Sequence, residues 1–81
     1  MPRLWFEPVD IWISDSTRRT VTSVEEAARM LMEKWPEEFA TSKKHLAARK
    51  ACLAALADPS PASAAKARAA LIKAAEEAGM G

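Results

Sequence analysis

Glycine is almost missing from this chain, with two among 81 residues, and both of them, Gly79 and Gly81, lie at its end. That excludes a glycine-rich loop able to cradle a phosphate, and it leaves no glycine for a tight two-residue hairpin turn. Cysteine occurs once, at Cys52, so no internal disulfide can form; a reducing compartment, the cytoplasm, is the expected location. No apolar run approaches the roughly 20 residues of a membrane span. The opening Met1-Pro2-Arg3-Leu4-Trp5 lacks the apolar stretch and cleavage site of a signal peptide. No membrane partner is expected.

What is present fits one small domain over residues 1–81. A chain of this length buries only about 60% of the surface its unfolded form exposes, enough for one modest core. Net charge is +1, which by itself argues against a polyanion partner. The distribution is uneven. Residues 1–38 carry five basic side chains against eight acidic ones, a balance of −3, and residues 39–81 carry seven against three, a balance of +4. Such asymmetry steers a charged partner or a second copy, or simply reflects two solvated faces of one fold.

The Trp35-Pro36 step divides the pattern. Proline pushes the preceding residue out of helical geometry, so a helix is expected to stop at Trp35. Before that point, Val9, Ile11 and Ile13 alternate with Asp10, Trp12 and Ser14. This two-residue period predicts a strand from Arg3 to about Ser14, interrupted at Pro8, which lacks an N–H. Asp15-Ser16-Thr17 supplies a turn without glycine, and Arg19 to Thr22 returns as a second strand. Ser23 and Glu26 read as a capping box at the start of a helix. Val24, Ala27, Ala28, Leu31, Met32 and Trp35 then share its inner face.

A second helix is expected from Thr41 or Ser42 to Ala57, with Leu46, Leu53 and Leu56 inward alongside Ala48, Cys52 and Ala57. Lys43, Lys44, Lys50 and Ala54 are expected to face out. Asp58-Pro59-Ser60-Pro61 breaks the chain; Ser60 suits an N-cap and Pro61 the first helical position. The third helix runs to about Ala78, with Leu71, Ile72 and Ala75 inward and Gly79 as a left-handed C-cap. The fold class is therefore α+β: an antiparallel two-stranded β-hairpin followed by three α-helices, the last two forming an antiparallel pair.

Trp5, Pro8-Val9, Arg19 before Val21, Glu26-Ala27-Ala28 with Leu31, Trp35-Pro36, Cys52, and Ala67-Arg68 followed by Ile72, Ala75 and Ala78-Gly79 together resemble a family of small proteins. It is known chiefly from rhizobia and related soil bacteria, as domain of unknown function 982. The resemblance runs over most of the chain and rests on order and spacing. It implies a hairpin-plus-helices fold and no assigned activity, so it carries over no catalytic or binding residues. One departure is Leu71-Ile72, where a phenylalanine-containing pair is expected.

Chemical candidates are few. His45, Arg49 and Cys52 fall along one stripe of the second helix. Seven helical residues separate His45 from Cys52 by about 10 Å, which is too far for a nucleophile and its base. Two ligands also fall short of a zinc site. Cys52 reads as an inert core thiol, and no catalytic residue, cofactor or metal is expected. Arg49 and Arg68 border apolar stripes on the last two helices, where they would bind an anion between them or pair with carboxylates such as Asp58, Glu7 or Asp10. Trp5, Phe6 and Trp12 are candidate interface residues on the hairpin.

Three functional classes follow. The leading one is a non-enzymatic interaction or regulatory module that forms a homodimer through its strand edge or binds a protein partner. Next is a nucleic-acid-binding accessory using Lys43, Lys44, Arg49, Lys50 and Arg68, with Lys66, as a basic surface; low net charge and the lack of a groove-reading motif count against it. An enzyme comes third.

Overall fold

A computed structural model describes residues 5–12 and 16–80. Its elements are β1 (Trp5–Trp12), β2 (Arg18–Ser23), α1 (Val24–Glu33), a 3-10 turn (Glu37–Phe39), α2 (Lys43–Ala57) and α3 (Pro61–Glu77). The expected hairpin and three helices are all present. The outer parts of the first strand expected from sequence, at Arg3, Leu4, Ile13 and Ser14, and the start of its turn at Asp15, lie outside the described residues.

β1 and β2 pair antiparallel, with Val9 opposite Val21 and Ile11 opposite Arg19. Val9, Ile11 and Val21 point into the core, whereas Asp10, Trp12, Arg18 and Thr20 stand on the solvent face. There Thr20 Oγ1 donates to Asp10 Oδ1 at 2.8 Å, and the Arg18 guanidinium lies over the Trp12 ring at 5.9 Å. The register shifts between Trp5 and Val9, around Pro8, and pairing resumes with Trp5 opposite Ser23. In the leading half of β1, Trp5 is thus paired with Ser23, and the irregularity falls on Phe6, Glu7 and Pro8. β2 begins at Arg18 and extends one residue beyond Thr22, to Ser23.

Local chemistry sets the helix ends. Ser23 Oγ accepts from the Glu26 N–H at 3.3 Å, which is half of the expected capping box. The Glu26 carboxylate turns instead to the hydroxyls of Thr22 and Ser23, at 2.9 and 3.4 Å, because Ser23 closes β2 and its backbone belongs to the ladder. α1 stops at Glu33, two residues before Trp35, which is buried in non-helical geometry ahead of Pro36. Ser60 and Ser63 form a reciprocal box at the start of α3, with Pro61 in its first turn. At the other end, Gly79 adopts φ +72°, Gly79 N–H donates to Glu76 C=O and Met80 N–H donates to Ala75 C=O. This is the Schellman pattern, and the left-handed residue it requires is the one interior glycine of the chain.

That turn has a tertiary consequence. It delivers Met80 into the core, and the Met80 carbonyl accepts from the Trp12 N–H at 2.7 Å. Arg68 Nε donates to the Glu7 carbonyl at 3.0 Å, and Pro8 has no N–H to offer. The outer edge of β1 is therefore blunted at three positions, as strand edges in monomeric sheets commonly are.

The helical faces differ from expectation in two places. On α1, Met32, expected on the inner face, is exposed, and Met30, which had no assigned face, is buried. On α2 the inner side is His45, Ala48, Cys52 and Ala55, while Leu46, Leu53, Leu56 and Ala57 lie outside. The reason is spacing between helices. α2 packs against both α1 and α3. Only Asp58, Pro59 and Ser60 join α2 to α3, and Lys44, early in α2, shares a groove with Lys73, late in α3. The pair is antiparallel, and alanine contacts let the two helices approach more closely than leucine would.

Candidate functional site

The residues with chemical potential separate into a closed interior and three surface regions. Inside, His45 is almost fully buried one turn into α2, whose N-cap Ser42 accepts from the His45 N–H at 3.1 Å. Its Nε2 stands 2.8 Å from the Leu31 carbonyl. A carbonyl only accepts, so Nε2 carries the hydrogen. Leu31 lies in the last turn of α1, where carbonyls lack intrahelical partners and no basic side chain is present. His45 thus caps α1 from the neighbouring helix. Its ring also meets that of Trp35, with centroids 5.5 Å apart. His45 Nδ1 and Trp35 Nε1 are both buried with no hydrogen-bond partner among the described residues.

Sequence reasoning treated His45 only as a possible partner of Cys52 and missed this role. The signal was available: His45, Ala48 and Cys52 follow the i, i+3, i+7 spacing of one helical face. A histidine on that face, just after a Trp-Pro break, is placed to satisfy the carbonyls the break leaves open.

Cys52 is buried as expected, and burial raises its thiol pKa from 9.0 to about 11. The raised value means the unfolded thiol ionises first, so this group's contribution to stability is full below pH 9 and is lost as pH rises through about 11. Titration of the folded protein with a thiol reagent at neutral pH is expected to proceed far more slowly than for free cysteine, limited by opening of the structure. Rapid stoichiometric labelling without unfolding would contradict the assignment. Among the described residues no three His, Cys, Asp or Glu side chains gather where they could hold a metal ion.

The first surface region is the hairpin. Trp5 is 59% and Trp12 42% exposed, while Phe6 is half-buried against the core. The register shift around Pro8 explains why residues seven apart in one strand are both accessible. Trp5 and Phe6 border a groove together with Pro61 and Arg68 of α3.

The second region is basic. Lys44 meets Lys66 and Lys73 across a groove of about 280 Å³ floored by Ala47, Ala69 and Ala70. The other expected cations do not join it. Arg68 faces β1 through its bond to Glu7, and it uses that residue's carbonyl in place of a carboxylate. Arg49 falls on α2 some 160° around from Ala47, given 100° per residue. Arg49 and Arg68 therefore turn away from each other, and no anion fork forms between them. Lys43 and Lys50 are exposed and do not line the groove.

The third region is apolar. Leu46, Leu53 and Leu56 are 48%, 60% and 42% exposed and, with half-buried Arg49, form one stripe along α2. Met32 of α1, 68% exposed, lies on the side of its helix away from β2, since Glu26, Arg29, Met30 and Glu33 are the α1 residues that line the cavity shared with β2. No helix among the described residues is long and apolar enough to cross a membrane.

No curated protein and no solved structure matches this chain. Residues 7–81 match the family described as Protein of unknown function (DUF982), and the chain belongs to that family.

Proposed function

We propose that this protein is a small non-enzymatic interaction module whose contact surface is the outer face of α2. One observation carries the reading. Leu46, Leu53 and Leu56 form a helical apolar stripe outside a core that is already complete without them. Single exposed leucines are ordinary, but three in register on one helix, rimmed by charge, have the form of a helix-packing surface. Cys52 supports the non-enzymatic part, because burial holds the only thiol in its neutral, unreactive form.

The surface differs from the strand edge expected from sequence, since β1 is engaged along its outer side by Arg68 and Met80. A polyanion reading retains only the Lys44–Lys66–Lys73 groove.

Photo-crosslinking in the native host tests the proposal. A benzophenone side chain at position 53 is expected to capture a polypeptide, and the same group at Ala69, in the basic groove, is not. No adduct from position 53 under conditions where the protein is expressed would overturn the reading.

A further inference from the structure

We infer that the outer edge of β2 takes an extended acidic segment of a partner polypeptide as a third strand, with a carboxylate of that segment seated among Arg19, Arg29 and Lys34. This surface is separate from the α2 stripe and goes beyond the reading above. Its first support is the backbone. Trp12 donates its N–H away from β2, to the Met80 carbonyl, so Trp12 and Arg18 opposite it form a non-hydrogen-bonded pair. The alternation of an antiparallel ladder makes Asp10 and Thr20 the next such pair. The N–H and C=O of Arg18 and Thr20 therefore point outward, on the side where no described strand pairs. On β1 the fold covers the corresponding edge itself, with Met80 and Arg68. On β2 both residues are exposed, and no turn or loop backbone bonds to them among the described residues. Outward donors and acceptors at this spacing match the backbone of an added strand.

The second support selects the chemistry. A cavity of about 80 Å³ lies between β2 and α1, with buried Val21 and Met30 in its wall and Arg19, Arg29 and Lys34 around it. None of these three cations makes an ion pair among the described residues. Two carboxylates share the cavity. Glu26 is taken up by the hydroxyls of Thr22 and Ser23, which leaves Glu33 against three positive charges. A strand added about 4.8 Å outside β2 directs every second side chain to the face of Arg19 and Val21. An aspartate or glutamate at such a position reaches the cavity and pairs with the excess charge. A second copy fits less well. Its β1 edge is covered, and its β2 would set Arg18 and Arg19 of both chains along one short ladder, where like charges repel.

Selection of binders to the folded protein from a display library of random heptapeptides tests this. Recovered peptides are expected to be rich in β-branched residues and to share an acidic position. With such a peptide bound, hydrogen exchange at the Arg18 and Thr20 amides should slow by roughly tenfold or more. Thr20→Pro removes an outward N–H and leaves the β1 ladder intact, so it is expected to weaken binding by roughly tenfold or more with unchanged circular dichroism. Arg29→Glu alters an exposed side chain and is expected to weaken binding to a similar degree through charge; it decides the matter if Thr20→Pro does not fold. Leu53→Asp is expected to leave peptide binding unchanged.

Failure to recover any peptide overturns the inference, as does recovery of peptides indifferent to Arg29→Glu. Binding lost on Leu53→Asp overturns it too, because the peptide would then lie on the α2 stripe. Slowed exchange at Arg18 and Thr20 on concentrating the protein alone would make a second copy the occupant and overturn the partner segment.

Discussion

Replacing His45 by alanine is expected to remove roughly 3 kcal/mol of unfolding free energy, one of the two largest effects foreseen for this fold. Two losses combine. The imidazole fills buried space between α1 and α2 beside Trp35, and the partially relaxed cavity it leaves is destabilising. The Leu31 carbonyl also loses the donor that replaces a helical partner. For a domain whose net stability is about 5–15 kcal/mol, this is a substantial fraction. His45→Phe separates the contributions, because it restores most of the volume and not the donor; about half of the loss should return. Urea unfolding checks both variants. A His45→Ala protein within about 0.5 kcal/mol of the parent would show that the contact between α1 and α2 does not depend on this side chain.

The second large effect inverts the usual rule for alanine and leucine. Ala48→Leu enlarges a fully buried side chain on a helix packed against both α1 and α3, and it is expected to cost about 1–3 kcal/mol through overpacking. Leu53→Ala removes a larger, exposed side chain and is expected to change monomer stability by less than about 0.5 kcal/mol. Chemical unfolding at low protein concentration keeps any association from contributing. A Leu53→Ala loss exceeding that of Ala48→Leu would mean that α2 presents its leucines to the core.

These two positions also mark how far the sequence was legible. The ends of elements were readable because their causes are local: Ser60 with Pro61 starts α3, Gly79 closes it, and Pro36 forbids α1 from continuing. The hairpin was readable from the alternation of Val9 and Ile11 with Asp10 and Trp12. The facing of α2 was not. Its leucines and its alanines both recur at helical spacing, and taking the larger side chains as the buried ones selects the wrong set. Which set goes inside depends on how closely α1 and α3 approach, and that is a property of the assembled helices.

The candidate surface was hidden for the same reason. In the sequence, Trp5, Phe6 and Trp12 stand out because a first strand longer than its partner presents an open edge. Closure of that edge requires Met80 to reach Trp12 across the fold and Arg68 to reach Glu7, contacts between residues far apart in the chain. The grouping of Arg49 with Arg68 failed similarly. Each borders its own helix's apolar stripe, but the rotation of each helix within the antiparallel pair sends them to opposite sides.

Solvent paramagnetic relaxation of leucine methyl groups, followed from dilute to concentrated protein, tests most directly whether the α2 stripe is a contact surface. Leu31 and Leu71 are buried and should be protected at every concentration. Leu46, Leu53 and Leu56 should relax strongly in dilute protein, as side chains on an open helix face do. Protection of all five leucines at the lowest concentration would contradict an outward-facing stripe and place these side chains in the core of the monomer.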